Sequence, residues 1–173
     1  FWPGYIRKFA KSSGTTNAKS KFIPISEESL EDCHFKAGKD LLSIYANNHP
    51  ENSLFSNKNL RLGGSSELYE DFNTKFGDLS AIMIENLPFW VEITTTTNKK
   101  VSLMSEWESK LKAIISEVKN EDVGSMTGVP SWMMVLLQRT LADTGKQTIS
   151  EIWPNLEVFF HGGISFTPYR EQY

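Results

Sequence analysis

The stretch that most constrains the fold is a helical segment whose first turns are apolar nearly all round, at residues 132–137 (WMMVLL). Such a helix is buried, or it borders a pocket. Pro130 or Ser131 is predicted to start it, and Gly145 follows its predicted end near Asp143. A strand-length apolar run comes next, at residues 156–161, and ends at a Gly-Gly pair. A buried helix followed by a buried strand is typical of an α/β fold, with helices flanking a sheet.

A second constraint is a polar loop between two short apolar segments, residues 5–10 and 22–25, which are predicted to form a hairpin-like pair of strands. Hydroxyls and backbone N–H groups suit phosphate oxygens, and a lysine neutralises their charge. A polar hairpin turn would have the same composition, and Ala18 before Lys19 excludes a Walker A loop. The candidate phosphate-binding residues are Ser12, Ser13, Gly14, Thr15, Thr16, Lys19 and Lys21.

The remaining chain is predicted to be mainly helical. Ser26 caps a helix whose apolar stripe includes Cys33, Leu41 and Ile44, so Cys33 is expected in the core. Residues 66–74 fit a helix or a loop, and Asp78 or Ser80 begins the next helix. Residues 94–100 fit a solvated linker. Ser105 is predicted to cap a helix with Trp107, Leu111, Ile114, Ile115 and Val118 on its apolar face and Lys110 among its solvated charges.

Composition excludes several classes of function. The net charge of −3 argues against a nucleic-acid surface or a patch for anionic membranes. A single cysteine rules out an internal disulfide and fits a cytoplasmic location. The three histidines lack metal-ligand spacing, so no metal ligands are predicted, and no Gly-x-Ser-x-Gly elbow of an α/β-hydrolase occurs.

Three sequence blocks, in order, carry a resemblance to a known family. They are residues 12–24 (SSGTTNAKSKFIP), residues 128–132 (GVPSW) and residues 153–169 (WPNLEVFFHGGISFTPY). Together they resemble the auxin-responsive promoter family of acyl-acid amido synthetases, in its bacterial branch, within the adenylate-forming (firefly-luciferase-like) superfamily. Asn17-Ala18 stand where that family usually has a glycine.

The resemblance implies that residues 1–173 are a fragment of the large N-terminal domain, with a mixed sheet flanked by helices, and that the C-terminal domain is absent. The intact enzyme would use ATP and Mg²⁺ to activate a carboxylic acid as an acyl-adenylate and pass it to an amino acid. Lys21 would be the catalytic cation, while Gly162, Gly163, Ser165 and Trp132 would border the adenylate and acyl group. Small-molecule substrates, and neither nucleic acid nor membrane, are the expected partners.

The fragment alone is expected to be inactive. Two alternatives stay open at this point. One is an acyl-CoA-forming ligase of the same fold, and the other is a non-catalytic binding or interaction protein that kept the fold.

Overall fold

The computed structural model describes residues 2–12, 21–63 and 68–173, and the chain divides into two compact units. The first unit comprises Phe1–Pro50 and Gly64–Leu87, and the second comprises Glu51–Gly63 and Pro88–Tyr173. Each unit has a β-sheet and a hydrophobic core of its own.

The first unit is built on a mixed four-stranded sheet, in agreement with the α/β class and with the mixed sheet that the resemblance implied. Its strands are β1 (Lys8–Lys11), β2 (Phe22–Pro24), β4 (Tyr69–Asp71) and β5 (Thr74–Gly77), in the spatial order β2-β1-β5-β4. Strand β1 runs antiparallel to β2 and parallel to β5, and β4 runs antiparallel to β5. The predicted hairpin-like pair around the polar loop is therefore confirmed.

Strands β4 and β5 form a hairpin in a segment for which the sequence suggested a helix or a loop. Its two turn residues, Phe72 and Asn73, have positive φ values of 45° and 61°. Successive residues with positive φ match the twist of a two-residue hairpin. Phe72 is an unusual residue at such a position, so this turn has no clear signal in the sequence.

Helices complete the first unit. The Ser26 hydroxyl accepts a hydrogen bond from the Ser29 N–H group at 3.1 Å, which confirms Ser26 as the cap. A π-helix (Ser29–Phe35) continues into α1 (Lys36–Asn48), and α2 (Leu79–Glu85) begins after the predicted cap Asp78. The buried core of this unit contains Ala10, Ile25, Leu30, Phe35 and Ile82.

The predicted apolar stripe on the first long helix is wrong over most of its length. Leu30 is buried, but Leu41 and Ile44 are 47% and 60% exposed, and α1 buries none of its residues. Cys33 is exposed rather than in the core. Periodicity identifies an apolar face, but a face is buried only where another element packs against it.

The second unit contains a parallel three-stranded sheet in the order β3-β6-β7. Its strands are β3 (Lys58–Leu62), β6 (Val123–Gly128) and β7 (Val158–His161). The central strand, β6, was not predicted, because Gly124, Ser125 and Thr127 interrupt its apolar pattern. Strand β7 lies where it was predicted, but it is a half-buried edge strand rather than a buried one.

Two helices of the second unit, α5 (Trp107–Val118) and α6 (Pro130–Thr144), pack on one face of the sheet and supply most of the core residues. Pro130 begins α6 and Gly145 ends it with a left-handed φ of 70°, both as predicted. The core contains Leu60, Leu62, Leu111, Ile114, Ile115, Val118, Val123, Met126, Met133, Leu136, Leu137 and Trp153. The helices are α3 (Phe89–Thr94), α4 (Lys99–Ser102), α5 (Trp107–Val118) and α6 (Pro130–Thr144), with 3-10 turns at Ile149–Glu151 and Thr167–Tyr169.

Three sequence predictions for this unit need correction. Glu106, not Ser105, caps α5, because its carboxylate accepts hydrogen bonds from the N–H groups of Glu108 and Ser109. Lys110 is only 1% exposed, so it does not belong to a solvated face. Thr95 and Thr97, in the predicted solvated linker, are buried.

In the ranges that the structure describes, no helix has the length and apolar character needed to cross a membrane.

Candidate functional site

Two groups of predicted site residues belong to different units of the chain. Ser12 and Lys21 belong to the first unit, and Trp132, Gly162, Gly163 and Ser165 belong to the second. Ser12 and Lys21 adjoin strands β1 and β2, whereas Gly162 and Gly163 follow β7 and Trp132 lies on α6.

Ser12 and Lys21 close the base of the polar loop. The Ser12 N–H group donates to the Lys21 carbonyl oxygen at 2.8 Å, and the Lys21 N–H group donates to Ser12 Oγ at 3.0 Å. This exchange extends the β1–β2 ladder by one pair beyond Lys11 and Phe22. The Ser12 hydroxyl accepts one bond in this exchange, and a hydroxyl that accepts can still donate its own proton.

The loop base stands at the carboxyl end of β1, which pairs in parallel with β5. Ligands of α/β sheets bind beyond the carboxyl ends of parallel strands. Lys21 is exposed there, so its ammonium group is accessible. The other predicted phosphate-binding residues, Ser13, Gly14, Thr15, Thr16 and Lys19, lie outside the described residues.

In the second unit, the carboxyl ends of all three strands meet at one edge. Leu62 pairs with Gly128, and Gly128 pairs with His161, in the last row of the sheet. The blocks at residues 128–132 and 161–163, far apart in sequence, therefore become neighbours. Parallel pairing is the physical cause, because it places equivalent strand ends side by side.

Contacts between these two blocks are close. A Cβ atom on Gly163 would lie 3.3 Å from Val129 Cγ2, and Gly163 has a left-handed φ of 83°. Both features favour glycine at this position. Gly162 has open space around its missing side chain, with nothing within 4 Å of a built Cβ atom. Residues 161–165 are exposed, so the turn presents bare backbone to solvent.

Tyr173 links the segment after this turn to the start of α6 by a hydrogen bond. Its phenol donates a hydrogen bond of 2.6 Å to the carbonyl oxygen of Pro130. Burial, and to a smaller extent Tyr169, raises the pKa of Tyr173 to about 12, so the phenol keeps its proton at neutral pH. Sequence analysis missed this residue, because its partner lies 43 positions away and leaves no local signal.

An aromatic cluster supports the same edge. His161 stacks on Phe166 with ring centroids 4.3 Å apart and planes at 19°, and Phe159 stacks on Tyr173 at 5.1 Å. Phe166 also contacts Tyr173 at 5.5 Å. These contacts fix the path of the chain after the Gly-Gly pair.

The other two predicted site residues, Trp132 and Ser165, follow soon in sequence after Gly128 and His161, which end their strands at this edge. Trp132, in the first turn of α6, is 39% exposed and contacts the Trp107 ring at 6.0 Å. The Ser165 hydroxyl donates to Thr167 Oγ1 at 3.4 Å. Trp132 therefore offers an apolar ring surface, and Ser165 a hydroxyl at an exposed turn.

Side chains that bind metals do not gather in groups of three or more anywhere in residues 2–12, 21–63 and 68–173. The described residues therefore contain no preformed all-protein site for Mg²⁺, an ion that usually binds through one or two carboxylates together with phosphate oxygens.

Comparison with known proteins adds the following findings. The family model described as "GH3 family N-terminal domain" matches residues 1–173. The curated proteins contain no match. Among solved structures, the chain is similar to one described as "GH3.15 acyl acid amido synthetase", with a TM-score of 0.53 and 13% sequence identity. The match covers 83% of this chain and 27% of that one, so the chain spans about a quarter of the length of its structural relative.

Proposed function

The chain belongs to the GH3 family, whose N-terminal domain it matches along its whole length, and from this premise we propose that it is part of an ATP-dependent acyl-acid amido synthetase. The intact enzyme would first join a carboxylic acid to AMP and then transfer the acyl group to an amino acid. Residues 1–173 would be a fragment of the large N-terminal domain and would be inactive alone.

One observation supports this proposal most strongly. The blocks at residues 128–132 and 161–163 lie side by side at the carboxyl edge of a parallel sheet, where α/β folds bind ligands. The exposed backbone at Gly162 and Gly163 permits close approach of an acyl group and an adenylate. Trp132 would supply an apolar surface there and Ser165 a hydroxyl.

The polar loop would bind the phosphates of ATP. The Ser12 hydroxyl, whose oxygen accepts a bond from Lys21 N–H, would donate its own proton to a phosphate oxygen. Ser13, Thr15 and Thr16 would add hydroxyl and N–H donors, Gly14 would allow close approach, and Lys19 and Lys21 would supply positive charge.

In the first half-reaction a carboxylate oxygen attacks the α-phosphorus of ATP, the bond to the β-phosphate oxygen breaks, and pyrophosphate leaves. Positive charge at Lys21 would stabilise the charge that develops on the departing pyrophosphate. In the second half-reaction the amine attacks the acyl carbon and AMP leaves. Mg²⁺ bound with ATP would neutralise part of the triphosphate charge. A cytoplasmic location is part of the same proposal.

The test is exchange of labelled pyrophosphate into ATP by the full-length protein, across a panel of aryl and aliphatic acids. We expect exchange that depends on one class of acid and that falls about 10²-fold or more in Lys21→Ala. Lys36→Ala is the matched control, because Lys36 is an exposed lysine of the same unit whose partner is Asp40. Its exchange rate should equal that of the parent protein.

No exchange with any acid, together with no ATP binding by calorimetry, would overturn the proposal and favour a non-catalytic protein. Turnover with coenzyme A but not with amino acids would instead identify an acyl-CoA-forming ligase.

A further inference from the structure

A row of polar side chains crosses the second sheet on the face opposite to its apolar core. Asn59 on β3 is hydrogen bonded through its amide nitrogen to Ser125 Oγ at 2.9 Å and to Thr127 Oγ1 at 3.1 Å. Arg61 lies two residues after Asn59 on the same strand and therefore shares its face. Arg61 is also the direct cross-strand partner of Thr127.

Among the described residues, no carboxylate forms an ion pair with the Arg61 guanidinium. Its Nε atom is buried without a hydrogen-bond partner within the described ranges. Burial lowers the pKa of Arg61 to about 10, and the charge of Glu92 opposes that effect. Glu92 itself is 44% exposed and forms an ion pair with Lys99 at 3.7 Å, so it acts on Arg61 only as a nearby charge. An incompletely solvated cation of this kind favours a bound anion.

The Thr127 hydroxyl, on the strand beside Arg61, can also donate a hydrogen bond to an anion. Thr127 Oγ1 accepts a bond from the Asn59 amide, and a hydroxyl that accepts one bond can still donate its own proton to another group. Arg61 and Thr127 thus present several hydrogen-bond donors, and their row lies one residue before the carboxyl edge of the sheet. Arg61 and Thr127 are both only partly buried, so solvent reaches them.

We propose that Arg61 and Thr127 form a binding site for a small oxyanion, either a carboxylate or a phosphate group. Planar guanidinium groups bind both anions through paired hydrogen bonds, and the Thr127 hydroxyl adds one more donor. Neither residue was singled out in the sequence, because a lone Arg in a strand carries no signal until the sheet places it beside Thr127. The site goes beyond the proposed function, and its binding chemistry needs no adenylation.

The test follows the Nε–H resonance of Arg61 in the full-length protein labelled with ¹⁵N-arginine. Sodium acetate and sodium phosphate are titrated separately against sodium chloride at equal ionic strength, and Arg61→Lys assigns the resonance. We expect a saturable shift with acetate, phosphate or both, and the anion that saturates at the lower concentration identifies the preferred group. Arg139 is the internal control, because Glu108 already binds its guanidinium through two nitrogens.

Thr127→Val keeps the shape of residue 127 and removes the hydroxyl. We expect about tenfold weaker anion binding in this variant, with unchanged circular dichroism. An unchanged affinity would overturn the role of Thr127. No saturable shift of Arg61 beyond that in chloride, or an equal shift of Arg139, would overturn the site. Because this titration contains no ATP and needs no turnover, its failure would be separate from failure of pyrophosphate exchange.

Discussion

At the scale of single residues, the lack of a side chain at Gly128 allows β3 and α6 to pack closely against the end of β6. A Cβ atom there would lie 2.9 Å from the Leu62 backbone oxygen and 3.3 Å from Met133 Cε. The paired strand cannot move aside cheaply, so we expect Gly128→Ala to lower the free energy of unfolding by about 1–3 kcal/mol in urea denaturation. Gly162→Ala is the control, with nothing within 4 Å of its Cβ atom and an expected change within about 0.5 kcal/mol. Equal losses in both variants would contradict the close packing at Gly128.

At the scale of elements, the start of α5 depends on an ionised cap. Hydrogen bonds from the Ser109 side chain, and then from the N–H groups of Ser109 and Glu108, lower the pKa of Glu106 below its ordinary value of 4.5. A carboxyl group with a lowered folded-state pKa stabilises the fold above its unfolded pKa and loses that effect as the pH falls through the folded value. Thermal denaturation should therefore show Glu106→Ala melting a few degrees below the parent at pH 7, with the gap shrinking in acid. A difference in melting temperature that is the same at pH 7 and in acid would exclude a charge-dependent cap.

At the scale of the whole molecule, the two hydrophobic cores have no residue in common among those that the structure describes. Ile82 is 1% exposed in the first core, and Ile114 is 1% exposed in the second. Ile→Val at either site should cost about 0.5–1.5 kcal/mol in urea denaturation. The double variant should equal the sum within about 0.5 kcal/mol. The control pair is Ile114→Val with Val118→Ala, four residues apart on α5 in one core, where we expect a larger departure from additivity. A larger departure from additivity for the pair Ile82 and Ile114 than for the pair Ile114 and Val118 would contradict the assignment of Ile82 and Ile114 to different cores.

The sequence predicted the elements whose signals are local. Pro130 and Gly145 bound α6, Asp78 and Ser26 cap helices, and residues 156–161 contain a strand. Family membership was also correctly identified from three short blocks, and the match over residues 1–173 confirms it. Assignment to the bacterial branch, and the roles of Lys21 and the other site residues, stay predictions.

The features that the sequence did not predict depend on distant partners. Strand β6 has a weak apolar pattern, because small residues are required where Gly124 and Gly128 meet Asn57 and Leu62. Lys110 is a basic residue but is buried, with its Nζ atom 3.4 Å from the Gly63 carbonyl oxygen. No pattern within one helix encodes such contacts, because the partners are supplied by another part of the chain.

The sequence by itself therefore determined the α/β class, most helix ends, the hairpin that carries the polar loop and the family. Each of these depends on periodicity, caps and short blocks, which act over a few residues. Only the tertiary structure decided which apolar faces are buried, as Leu41 and Ile44 on α1 show. It alone placed Gly128 beside His161 and Arg61 beside Thr127. Burial and parallel pairing join residues tens of positions apart, so they are fixed by the packing of whole elements rather than by local sequence.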